Sequence, residues 1–197
     1  MSEENSSTKN KNLIGKSLQR NISGFWKIYC YIIAFIMAIF HIYVLAFQPM
    51  DPWIVRIIHL QFVMGIGFIY YSGWYKATLK VNVIDIMLIL MSFSTMVYVL
   101  YYFEDLVFRA GVFPEGLDIL FATFAVLTVI ELTRRSVGLA LTILLFIFIT
   151  YCFIGPYLPG VFWHKGYSIE RVLSYLFSTN GIYNIPLGVT ARFVYIF

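Results

Sequence analysis

The chain has 197 residues, of which 60% are hydrophobic and only 12% charged, with 14 basic residues against 10 acidic ones and a formal net charge of +4. Soluble domains are about half apolar and about a quarter charged, so this chain has too few charged groups to cover a soluble fold of its length. Composition therefore excludes a soluble enzyme or a basic nucleic-acid-binding domain and makes lipid the expected solvent, with an all-α polytopic membrane fold.

Residues 1–24 are polar, rich in Ser and Asn, and basic toward their end, as expected of a disordered cytoplasmic tail. The apolar stretch at 25–47 is longer than a signal-peptide core and has no small-residue cleavage site, which makes it an anchor that stays in the protein. A spanning helix needs about 20 apolar residues. That requirement predicts five spans near 25–47, 54–74, 83–103, 117–133 and 137–158, with a sixth beginning near 186. The breaks between them carry helix-ending residues: QPMDPW at 48–53, RAGVFPEG at 109–116 and GPYLPG at 155–160. Strands are not expected, because the alternating ten-residue segments of a membrane barrel are missing from the pattern.

Cys30 and Cys152 each lie inside an apolar run and read as small buried hydrophobes with no disulfide between them. With the amino terminus in the cytoplasm, Lys9, Lys11, Lys16, Arg20, Lys27, Lys76, Lys80, Arg134 and Arg135 all fall on the inner side. Arg134 and Arg135 then occupy a tight inner turn between the fourth and fifth spans, where their charge opposes export of that loop. Glu131, three and four residues earlier on the same helical face, is placed to pair with both.

Between the fifth and sixth spans, SIERVLSYLFST at 168–179 has apolar residues at helical spacing (Ile169, Val172, Leu173, Leu176, Phe177) behind Ser168 as N-cap. This helix is too short to span. Two placements are open: along the outer interface, with Trp163, Tyr167 and Tyr175 at headgroup depth, or packed against protein.

Ionisable residues within spans are candidates for function. Arg56 and His59 lie near the outer end of the second span and His41 near that of the first. At 1.5 Å per residue both histidines lie roughly 8 to 9 Å from the loop at 48–53. Such a pair either makes helix-to-helix hydrogen bonds or clamps a b-type haem in an electron-transfer protein. Asp85 and Asp118 begin their spans in VIDIML and GLDILF, where an acid offsets the positive end of the helix dipole. No catalytic constellation, metal-ligand spacing or phosphate loop appears, so an enzyme is not expected, nor a metal site.

The stretch ELTRRSVGLAL, followed by YCFIGPYLPGVFWHKGYSIERVLSYLFSTNGIYNIPLGV, resembles the fused membrane permease of tripartite ATP-independent periplasmic (TRAP) transporters, in particular the TAXI type. RIIHLQF at 56–62 is also similar; before residue 54 the likeness is only generic. Tyr183, Asn184 and Arg192 depart from the pattern, and Arg192 would snorkel toward the outer interface.

The resemblance implies a four-span small-subunit-like region at 25–135 and the start of the large permease subunit at 136–197. It implies a multi-pass protein of the bacterial inner membrane and a secondary transporter importing organic anions, chiefly carboxylates, with Na+ as coupling ion. An extracytoplasmic solute-binding protein would dock near 48–53, 104–116 and 159–185. Because the chain stops inside the hydrophobic run RFVYIF, the expectation is a fragment or truncated product whose substrate and ion sites lie beyond residue 197, in the remainder of the large subunit. The polar residues Arg56, His59, Asp85, Asp118, Glu131, Arg134 and Arg135 are then structural or functional groups of the scaffold. The rival expectation is a membrane scaffold or interaction protein that transports nothing.

Overall fold

The computed structural model describes residues 19–48, 50–74, 80–109, 112–178, 180–183, 187, 188 and 190. Five helices in it are long and apolar enough to cross a membrane: α1 (Phe25–Ala46), α2 (Pro52–Tyr70), α3 (Val83–Tyr101), α5 (Gly116–Ser136) and α6 (Leu139–Ile154), the last extended by a 3₁₀ turn at Gly155–Tyr157. Two shorter helices, α4 (Phe103–Arg109) and α7 (Ile169–Phe177), lie between spans. Among the described residues β-structure amounts to one isolated antiparallel bridge, Gln19 with Tyr71. The chain is an all-α polytopic membrane protein.

Helix starts follow from local chemistry. Pro52 occupies the first turn of α2, where its missing N–H costs nothing, and the Asp51 carboxylate accepts from Trp53 N at 2.7 Å. At α3 the Asp85 carboxylate accepts from Asn82 N at 2.8 Å, and at α5 Asp118 accepts from Glu115 N at 2.9 Å. Each acid thus satisfies a donor that the helix itself leaves unbonded. Between α5 and α6 the backbone turns at Gly138, whose φ of 106° suits glycine, while Val137 and Gly138 both donate to Thr133 O.

The predicted spans keep their places, with ends shifted by a few residues. α4 was not expected. It forms because Glu104 and Asp105 sit in its first turn, Arg109 in its last, and Leu106 is fully buried between α3 and α5. The expected disordered tail lies mostly outside the described residues, as do most of the sixth span and Arg192.

α2 is central: it packs on α1, α3 and α5, and α3 also packs on α5. Gly67 of α2 lets the Leu132 side chain of α5 come close, since a Cβ there would lie 2.7 Å from Leu132 Cδ1. Met64, Phe68 and Leu132 make one core cluster; Trp53, Ile57, Tyr98, Leu106, Phe177 and Tyr183 anchor a larger one toward the other end. α1 and α6 are peripheral, with Phe35 66% and Ile147 58% exposed. Such apolar faces suit lipid, which solvates them as well as another helix would.

α7 packs on α5, burying Val172, Ser174 and Phe177, while Ile169 and Tyr175 stay exposed. The packed placement thus holds for one face of the helix. Ser174 is buried against expectation, and Ile169 is 63% exposed.

A knot of residues shapes the segment before α7. The His164 ring fits over Gly155 so closely that a Cβ there would collide with it. His164 Nδ1 accepts from Gly166 N at 3.1 Å, so its proton sits on Nε2, which donates to Tyr151 O at 3.0 Å. Ser168 Oγ then accepts from Arg171 N to begin α7.

Candidate functional site

The acids of α3 and α5 and the arginines that pair with them gather at the two ends of the bundle. At one end, Asp85 at the start of α3 is shared by two arginines: Arg20 Nη2 donates to Oδ2 and Arg135 Nη1 to Oδ1, both at 2.6 Å. Arg20 also donates from Nη1 to the carbonyls of Phe68 and Ile69, each at 3.1 Å, closing the open end of α2. Arg135 donates from Nε to Glu131 at 2.7 Å and stacks its guanidinium 5.2 Å above the Phe68 ring.

Arg134 reaches both oxygens of Glu131 at 2.8 Å and Gly73 O at 2.7 Å. Gly73 lies close under the Arg135 guanidinium, where an added Cβ would come within 3.2 Å of Nη2. Arg20, Asp85 and Arg135 are all at least 96% buried, being exposed by 4%, 1% and 3%. Among the described residues, three arginines face Asp85 and Glu131 in this cluster.

At the opposite end, Asp118 at the start of α5 accepts from Tyr98 OH at 2.5 Å and from Arg109 Nη2 at 3.2 Å. Arg109 Nε lies 2.9 Å from Asp118 Oδ2, at an angle that makes an ion contact without a hydrogen bond. Its Nη1 donates to Glu115 at 2.6 Å. Burial opposes the charge on Arg109, but Asp118 and Glu115 beside it raise its pKa above the ordinary arginine value.

The remaining groups lie on α1 and α2, with Arg56 in the second turn of α2 and His59 further along it. Arg56 Nη1 donates to Tyr183 O at 2.7 Å, and Gly188 lies against the same guanidinium. The fully buried Tyr183 side chain lines a small cavity with Ile57, Gln61, Ser92, Thr95 and Thr128, where Ser92 Oγ donates to Gln61 Oε1 at 2.8 Å.

His41 and His59 meet directly. His41 Nδ1 lies 2.8 Å from Met37 O, an oxygen that only accepts, so the proton is on Nδ1 and Nε2 receives the His59 Nδ1–H at 3.1 Å. Of the two arrangements open to the pair, this is the helix-to-helix hydrogen bond. The rings are a hydrogen-bonded pair joining α1 to α2, edge to face with centroids 5.0 Å apart.

The predicted polar residues thus divide. Asp85, Glu131, Arg134 and Arg135 come together at one end; Asp118 stands at the other; Arg56 and His59 lie apart on α2. Glu131 pairs with both arginines as its spacing indicated. Arg20 was missed as a buried group because its neighbours in sequence are polar. Arg109 did carry a signal, six residues before Glu115 and nine before Asp118. Comparison of the chain with known families, curated proteins and solved structures gave no match.

Proposed function

We propose that the chain is a membrane permease component of a TRAP-type secondary transporter, importing organic anions with a cation gradient and an extracytoplasmic binding protein. Its amino terminus is cytoplasmic in this reading, so the Asp85 end of the bundle faces the cytoplasm and the Asp118 end faces outward. One observation carries the proposal. After α6 the chain does not turn straight into another span: α7 and the turn to Tyr183 pack into the bundle beside Trp53 and Arg56. Trp53 and Arg56 lie in the first two turns of α2, and carriers use broken elements of this kind around their transport sites.

The quoted resemblance adds support, because its residues have definite physical work. Glu131, Arg134 and Arg135 tie α5 to α2 and α3, while Gly155, His164, Gly166 and Ser168 shape the approach to α7.

The test is uptake by proteoliposomes holding the product of the complete reading frame, with a sodium gradient and its solute-binding protein, across a panel of small carboxylates. Gradient-dependent accumulation of at least one compound is expected; none for any compound would remove the transport reading. The second reading, a scaffold that carries nothing, is favoured by one feature. Asp85, Asp118 and Glu131, the acids of α3 and α5, are each held by an arginine.

A further inference from the structure

A groove of about 560 Å³ opens where residues 19–22 pass between the first turns of α1 and the last turn of α2. Gln19, Asn21, Lys27, Cys30, Tyr31 and Tyr70 line it, together with Arg20, and among the described residues no acid lines it. Arg20 turns its guanidinium inward to Asp85, which leaves Lys27 as the cation facing the groove. Lys27 is exposed, and among the described residues it makes no ion pair; its ammonium lies 5.9 Å from the centre of the Tyr31 ring. We propose that this groove binds the headgroup of an anionic phospholipid.

Three features select an amphiphile over a free phosphate. First, the groove lies at the ends of two spans, Lys27 being in the first turn of α1 and Tyr70 the last residue of α2, which is headgroup level in a bilayer. Secondly, a volume of about 560 Å³ holds a ligand much larger than inorganic phosphate. Thirdly, Lys27, Tyr31, Phe35 and Ile39 follow one another four residues apart, on a single stripe of α1. Tyr31, Phe35 and Ile39 are 65%, 66% and 51% exposed. A lipid with its phosphate at Lys27 can lay an acyl chain along that stripe, whereas inorganic phosphate gains nothing from it. The inference rests on the membrane fold and not on the transport reading.

Native mass spectrometry of the detergent-purified chain, titrated with phosphatidylglycerol or phosphatidylcholine, tests it. Phosphatidylglycerol is expected to bind in preference to phosphatidylcholine, and Lys27→Gln to weaken its binding about fivefold, the worth of one lysine beside an anionic lipid. Lys80→Gln, an exposed lysine near the same end, and neutralisation of Lys9, Lys11 and Lys16 together are expected to leave the preference standing. Equal binding of both lipids, an unchanged affinity in Lys27→Gln, or an equal loss in either control would overturn the proposal. So would displacement of the lipid by millimolar inorganic phosphate, which would make this a simple anion site. Because Lys27 is exposed, its substitution does not threaten folding; an unchanged thermal transition verifies this.

Discussion

Asp85 and Asp118 hold the same local position, each near the start of a spanning helix with its carboxylate turned back to a backbone N–H, yet their surroundings differ. Asp85 is enclosed with Arg20 and Arg135, whose side chains are 3% and 1% exposed. Asp118 meets Arg109 at 17% exposure, and Arg109 in turn reaches Glu115 at 62%. The partners at the first end come from three distant parts of the chain; those at the second lie largely within a single hairpin. The same helix-starting acid therefore serves as a tertiary lock at one end and mainly as a local brace at the other. Burial decides how much each is worth, because a carboxylate removed from between two enclosed arginines leaves charges that nothing else compensates.

That contrast is broken most directly at Asp85. Asp85→Asn keeps the shape but leaves Arg20 and Arg135 without their shared counter-charge, and is expected to cost about 3 to 5 kcal/mol. Thermal unfolding in detergent would show it as the largest loss of the series. A change no greater than that of a surface substitution would mean that the cluster is not enclosed in the folded protein.

Asp118→Asn retains an oxygen for Tyr98 and leaves Glu115 beside Arg109, so a smaller loss of about 1 to 3 kcal/mol is expected. The same unfolding measurement, run beside Asp85→Asn, ranks the two ends. If Asp118→Asn proved the more costly, the assignment of the tertiary lock would have to be reversed.

Glu115→Gln is expected to change stability by less than about 1 kcal/mol, since the pair it breaks is largely in contact with solvent. Its effect should shrink further as salt is raised, because exposed pairs are screened. A loss as large as that of Asp118→Asn would show that Arg109 is held by Glu115 instead.

Much of the architecture could be read before any coordinates. The spans at 25–47 and 83–103 begin where expected and end within two residues of the observed helices, since runs of apolar residues between Pro, Gly and Asp are local signals. Glu131 with Arg134 and Arg135 was legible for the same reason, the three being one helical turn apart. α4 was not, because seven residues carrying Glu104, Asp105 and Arg109 read as loop until Leu106 is seen to be buried. The histidines were correctly placed at similar depth, but depth does not specify separation, and the direct bond between the rings depends on how closely α1 approaches α2.

Composition and apolar run length by themselves determined that this chain lives in a bilayer, as helices, with turns at Gly, Pro and Asp. Those properties depend on residues within about one helical turn or on the mean polarity of a segment, and lipid enforces them on any such sequence. Only the tertiary structure decided that Arg20 and Arg135, 65 and 50 residues from Asp85 in sequence, would close on the same carboxylate. It also decided that Tyr183 would come to Arg56 from 127 residues away. Such pairings arise from which helices pack together and in what rotation, and the spacing of apolar residues along a single helix does not encode that.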